Sequence, residues 1–280
     1  MSFTEQVKNE LARLPREEAG SRAAELLALL RMSGSFITGA HASWGLEFST
    51  GNSAVARRVL VYLKKDFGFM PSTMVRQGRR LRKKNVYTLL VQPSKEGLRF
   101  LDTMGLSPLS GADDMEKLVT AEERRAYLAG AFLGGGSVSR PQSDYHLEMV
   151  TQSARFAEEI VKAMKSFKLN ARLTDRKNDY IVYIKDGDEV SEFLQIVGAA
   201  QSYMDFESVR VVKDMRNRVN RQVNCETANL QKTVDAAVRQ THLVQKLLAK
   251  ESRSSLSPKI REACDLRLAP PNASLSVLAE

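Results

Sequence analysis

Cysteine is nearly absent from this 280-residue chain: Cys225 and Cys264 stand alone and far apart. Without a CxxC pair or a histidine cluster beside them, they imply neither a disulfide framework nor a zinc site. Histidine is equally scarce, at three residues, and a lone histidine is more often structural or solvated than catalytic. No apolar run approaches the ~18 residues that a membrane span needs. The N-terminal MSFTEQVKNELARL has amphipathic helix periodicity with acidic residues, which is not the pattern of a signal peptide. A soluble, cytoplasmic protein without membrane insertion is expected.

What the chain does have is a hydrophobic fraction of 43% and a net charge of +9. The charge is localised. Residues 51–100 carry 12 Lys/Arg against 2 Asp/Glu, while residues 151–200 carry 8 of each. Solubilising charge would be spread evenly, so this block predicts an anion-binding surface. Its densest part is RQGRRLRKK (76–84), with six basic residues in nine.

The sequence also repeats itself. RAAELLALLRMSGSF (22–36) aligns with RRAYLAGAFLGGGSV (124–138), LEFST (46–50) with LEMVT (147–151), KNVYTLLV (84–91) with KNDYIVYI (177–184), and RFLDTMG (99–105) with EFLQIVG (192–198). Several matches in one order predict a duplicated unit. Each copy reads as an apolar helix rich in small residues, a half-buried strand, a strand–turn–strand and a closing helix, with a further helical stretch, NSAVARRVLVYLKKDFG or SARFAEEIVKAMKSFK, after the first strand. LSPLSGADDM (106–115) reads as the linker between copies.

These residues carry a resemblance. LAGAFLGGGSV is similar to the LAGLIDADG motif of homing endonucleases, and LLALLRMSGSF resembles a degenerate first copy. The resemblance implies a pseudo-dimer in which two motif helices pack together and two antiparallel sheets straddle DNA. In the endonucleases the last acid of each motif binds catalytic metal. Here those positions fall on Ser33 and Gly135, and the other motif acid on Arg31 and Leu133, so no carboxylate occupies any of them. Glu47 and Glu148 are equivalent residues on the first strand of each copy. Their alternation with Leu46, Phe48, Leu147 and Met149 should turn them away from the helices, toward any bound DNA.

After Ala200 the chain reads as helices almost free of Gly and Pro. Asn217, Asn220, Asn224 and Asn229 recur near Arg216, Arg218 and Arg221. Asparagine is a poor helix-interior residue, so the cluster suggests bonding to phosphates, to base edges, or a turn. Ser257 and Pro258 form an N-cap and first helical position, PPNAS is a break, and Ser274 caps a further helix. The opening MSFTEQVKNELARLP, YLAGAFLGGGSV, LTDRKNDYIVYIKDG and RNRVNRQVNCETANLQKTVDAA together resemble the WhiA family. That resemblance implies a sporulation and cell-division transcription regulator with a degenerate LAGLIDADG domain followed by a helix-turn-helix. The family continues through a further DNA-reading helix, so the last segment reads as truncated.

The expectation is an α+β tandem LAGLIDADG-like repeat followed by an all-α segment, divided at 1–110, 111–204 and 205–280. Function is expected to be non-catalytic binding of duplex DNA by a nucleoid-associated regulator of cell division, sporulation or chromosome segregation. Other regulators or division proteins are possible partners, and no cofactor or metal is expected. The predicted contacts are Arg76, Arg79, Arg80, Arg82, Lys83 and Lys84, then Arg216, Asn217, Arg218, Asn220 and Arg221. The alternatives are a metal-dependent endonuclease, a protein-interaction scaffold with a vestigial groove, and an RNA-binding role for the same surface.

Overall fold

A computed structural model describes residues 1–40, 43–77, 85–106 and 113–268. Two compact units are present, Met1–Arg210 and Val211–Glu280.

In the first unit, α1 (Phe3–Leu11) is started by a capping box in which Ser2 and Glu5 bond each other's backbone. It buries Phe3, Val7 and Leu11, spaced at one helical face. Then α2 (Ala19–Ser33) runs straight into β1 (Gly34–Thr38), followed by β2 (Trp44–Thr50), α3 (Ser53–Phe67), β3 (Ser72–Gln77), β4 (Asn85–Ser94) and α4 (Lys95–Met104). A one-turn α5 (Asp114–Lys117) precedes the same order again: α6 (Ala121–Gly135), β5 (Gly136–Val138), β6 (Leu147–Thr151), α7 (Ala154–Ser166), β7 (Arg172–Arg176), β8 (Asp179–Ile184) and α8 (Gly187–Val197). The two sheets have one topology, β1-β2-β4-β3 and β5-β6-β8-β7, antiparallel throughout. Each copy is therefore a helix, two strands, a helix, two strands and a helix.

The helix ends follow local chemistry. Asn52 accepts from Ala54 and Val55 N–H at the start of α3, and Ser153 from Phe156 N–H at the start of α7. Gly68, Gly105 and Gly198 end α3, α4 and α8 in the left-handed conformation. The motif helices end differently. Gly34 and Gly136, which cap α2 and α6, are extended, and each begins a strand. These first strands, β1 and β5, are not foreseen by periodicity, because GSFIT and GSV are short and led by glycine.

The core lies where α2 packs along α6 and both back onto the sheets. Leu26, Leu29, Leu30, Tyr127, Leu128 and Phe132 are fully buried, each large apolar side chain contributing roughly 1.5–3 kcal/mol relative to exposure. The N-terminal helix ties this core to its neighbours. Thr4 Oγ1 donates to Val138 O at 2.9 Å and accepts from Val138 N–H at 3.0 Å. Glu10 accepts from Gln201 N–H, Ser202 N–H and Ser202 Oγ at 2.6–2.9 Å, capping the following helix from outside.

That helix, α9 (Ala200–Lys250), continues without interruption for 51 residues. The turn considered among the asparagines is not there. Side-chain pairs one turn apart support the helix: Gln222 to Glu226 at 2.9 Å and Gln231 to Asp235 at 2.8 Å. After a 3₁₀ turn (Arg253–Ser255), α10 (Pro258–Leu268) starts where Ser257 and Pro258 predict, with Ile260 and Arg261 N–H bonding Ser257 O at 3.1 Å. PPNAS and Ser274 lie outside the described residues.

Candidate nucleic-acid interface

The paired ends of α2 and α6 are where the resemblance implies metal chemistry. Small residues bring the two helices together. A Cβ at Gly130 would collide with the Glu25 carbonyl oxygen and lie 3.1 Å from Ala28 Cβ; one at Gly134 would lie 2.6 Å from Met32 Cβ. Gly130, Gly134 and Gly135 thus serve close helix approach, while a Cβ at Gly136 would meet Phe132 of its own helix, and none of the three at 134–136 is a left-handed stop.

At the motif positions themselves, Ser33 Oγ donates to Gly134 O at 3.3 Å, across the helix pair. Gly135, its counterpart, has no side chain, and Leu133 is buried. Arg31 pairs with Asp114 at 2.6 Å and donates to Gly105 O at 3.0 Å, holding α2 to α5. Asp114 also accepts from Tyr127 Oη at 2.9 Å. Burial and then the Asp114 charge push the Tyr127 hydroxyl well above its ordinary pKa, keeping it a neutral donor. A divalent ion needs anionic oxygens. A hydroxyl already committed to a carbonyl, a glycine, a leucine and an arginine do not fit one. Among the described residues no group of three or more His, Cys, Asp or Glu is placed to hold a metal.

The faces of the sheets turned away from the helices mix polar and charged side chains with apolar ones such as Leu90, Met74, Val86, Val150 and Ile181. Strand alternation buries Leu46, Phe48, Leu89 and Val91 in the first sheet and Leu147, Met149, Val182 and Ile184 in the second. The opposite faces carry matching rows across the strands. Ser35, Glu47, Leu90 and Ser72 are in register in the first sheet; Ser137, Glu148, Tyr183 and Arg172 are their equivalents in the second. Glu47 and Glu148 are half-buried on this outward face, as alternation predicts. Glu148 accepts from Ser137 Oγ at 3.1 Å and lies 3.1 Å from His146 Nε2.

Arg76 is exposed near the end of β3, opposite Val86. Arg79, Arg80, Arg82, Lys83 and Lys84 fall outside the described residues. One member of the basic block does not belong to any surface: Arg58 is buried in an ion pair with Glu25, which also meets Arg16 at 2.8 Å. The second sheet adds cations that sequence reasoning passes over. Arg172 and Arg176 are exposed on the outward parity of β7, and Lys185 follows β8 with its ammonium 5.0 Å from the Tyr183 ring centre. Arg172, Tyr183, Lys185 and Asn170, with Ile184 and the acids Asp186 and Glu189, line a cavity of about 490 Å³. The only sequence signal for them is the alternation in RLTDR, which acquires a direction once the register is known.

In the second unit, Arg216, Asn217, Arg218, Asn220 and Arg221 all lie on α9 and are exposed. At ~100° per residue, Asn217, Asn220, Arg221 and Asn224 share one side of the helix, with Arg216 and Arg218 at its margins.

Three family models match the chain: a WhiA N-terminal LAGLIDADG-like domain over residues 19–107, a WhiA LAGLIDADG-like domain over 124–216, and a WhiA C-terminal HTH domain over 219–280. Among curated relatives, a probable cell division protein WhiA of Thermoanaerobacter sp. (strain X514) is 39% identical, covering 100% of this chain and 90% of the relative. One of Heliobacterium modesticaldum is 41% identical, covering 100% and 89%. The crystal structure of full-length DUF199/WhiA from Thermatoga maritima superposes with a TM-score of 0.62 at 23% identity, over 99% of this chain and 90% of that one. This likeness extends to the fold: tandem LAGLIDADG-like halves with two antiparallel sheets, then a helical HTH region.

Proposed function

The chain belongs to the WhiA family, and on that footing we propose that it is a non-catalytic DNA-binding protein that regulates transcription in cell division, sporulation or chromosome segregation, acting at the nucleoid. The observation that carries this reading is a conserved frame with altered chemistry at its centre. Two motif helices pack through glycine, two sheets of one topology turn a face bearing Glu47 and Arg76 or Glu148, Arg172 and Arg176 away from them, and the motif ends hold Ser33 and Gly135. The helix-turn-helix family model over residues 219–280 supports duplex DNA as the partner.

In this proposal Arg76 and the basic run Arg79, Arg80, Arg82, Lys83 and Lys84 contact the phosphate backbone from the first sheet. Arg172 and Arg176 do so from the second. Arg216, Asn217, Arg218, Asn220 and Arg221 contact DNA from α9. Each arginine or lysine on a phosphate releases counterions, so binding is strongly salt-dependent and carries little sequence choice by itself. Base reading belongs to the helix-turn-helix and to polar groups on the outward faces. The domain division at 110 and 204 is part of the same proposal.

The test is a plasmid titration with and without Mg²⁺. Retarded migration with no nicking in either condition is expected. Nicking that scales with protein and persists in the Glu47→Ala variant would overturn the non-catalytic reading; no retardation at low salt would overturn DNA binding.

A further inference from the structure

The cavity at the end of the β7–β8 pair holds charges of both signs, and the two signs are used differently. Arg172 and Tyr183 lie opposite each other on the two strands. Lys185, two residues beyond Tyr183, has its ammonium 5.0 Å from the Tyr183 ring centre. Side chains opposite on antiparallel strands stand ~5 Å apart at Cβ, and those two residues along one strand ~7 Å. The two cations therefore flank one ring, close enough to converge on one anion. Both are exposed, and among the described residues neither meets a carboxylate.

The acids, in contrast, are engaged. Asp186 Oδ1 caps α8, accepting from Asp188 N–H at 2.9 Å and Glu189 N–H at 3.1 Å. Glu189 Oε1 accepts from Asn170 Nδ2, which leaves Glu189 Oε2 as an open acceptor. About 490 Å³ of space joins these groups, within the ~300–1,000 Å³ of ordinary small-molecule sites.

We infer that this cavity binds a phosphorylated ribose, either free or as part of a ribonucleotide. Its phosphate sits between Arg172 and Lys185, and a ribose hydroxyl donates to Glu189. Guanidinium and ammonium groups are the ordinary side-chain partners of phosphate. A carboxylate beside them repels a bare anion, so inorganic phosphate is a poor fit. The same carboxylate accepts from a sugar hydroxyl, as acids do from ribose in dinucleotide sites. It also favours ribose over deoxyribose, which has no 2′-hydroxyl to donate. A ligand held here withdraws Arg172 from duplex DNA. That consequence rests on the proposed function, whereas the site itself does not.

Isothermal titration calorimetry of the full chain without DNA tests this. The probes are AMP, UMP, their deoxy counterparts, ribose phosphate and inorganic phosphate. At least one of the ribose probes is expected to bind with Kd below about 1 mM. Tighter binding of AMP than of ribose phosphate identifies a nucleotide site, and equal binding identifies the sugar phosphate as sufficient; either supports the inference. The deoxy counterparts and inorganic phosphate should bind about tenfold more weakly. Lys185→Ala should weaken the ribose probes by about tenfold. Glu189→Gln keeps an amide oxygen for Asn170 and replaces the open acceptor with a donor. It should weaken the ribose probes by about tenfold without weakening inorganic phosphate, a divergence that general loss of structure would not produce. No ribose probe binding below about 1 mM, ribose and deoxyribose forms binding alike, or an affinity unchanged by Lys185→Ala or Glu189→Gln would overturn the inference.

Discussion

Gly130 sets two residue-level forces against each other. On an exposed helix, replacing glycine with alanine stabilises by roughly 0.5–1 kcal/mol. Here a Cβ would strike the Glu25 carbonyl and press on Ala28, and overpacking of this kind costs about 1–3 kcal/mol. The contact should win because its atoms are backbone and cannot swing aside. Gly130→Ala is expected to lower the chain's stability by about 1–2 kcal/mol in urea unfolding; a stabilised variant would mean that the helices pack less closely than described. Lys8 offers a second test. Burial lowers its pKa to about 8 from its ordinary 10.5, with its ammonium 5.9 Å from the Phe132 ring centre. Between those two values the unfolded chain holds a proton that the folded chain has lost, so stability should rise as pH increases from 8 toward 10.5. Below pH 8 both states are protonated and the full burial cost remains. Lys8→Met should stabilise at pH 7 by about 2 kcal/mol and remove this rise, read from urea midpoints at pH 7 and pH 10.

At the scale of elements, the β7–β8 hairpin turns on Lys177 and Asn178, with φ of 50° and 74°. Two-residue hairpin turns of this hand require positive φ at both positions and favour glycine at the second. Asn178→Gly should raise the thermal midpoint, by an amount equivalent to about 0.5–1 kcal/mol, without altering far-ultraviolet dichroism; an unchanged or lowered midpoint would count against the turn. Helices were the most legible elements, because their apolar periodicity is carried by the sequence itself; their caps at Ser2, Asn52 and Ser153 came with the structure. β1 and β5 were not, since Gly34–Thr38 and Gly136–Val138 are too short to establish alternation and exist because β2 and β6 supply their hydrogen bonds. The unbroken run of α9 through Asn217, Asn220, Asn224 and Asn229 went against intrinsic propensity. Bonds one turn apart, such as Gln222 to Glu226, appear only once the helix is present.

On the scale of the whole molecule, duplication was readable because its matches keep their order along the chain, and both sheets repeat one topology. Loss of acids at Ser33 and Gly135 was equally readable, since it needs identity alone. The outward row of Ser137, Glu148, Tyr183 and Arg172 was not, because residues 137 and 172 become neighbours of 148 and 183 only through strand register. Nor could charge counting show that Arg58 lies buried against Glu25. In the proposed function these outward faces hold duplex DNA by its phosphates. Its most direct test is fluorescence anisotropy of a labelled duplex over a salt series, for the original chain and for Arg172→Ala with Arg176→Ala. Affinity should fall steeply with salt, and the double variant should bind more weakly with a slope shallower by about 1–2. An affinity and slope unchanged by the two substitutions would contradict the claim.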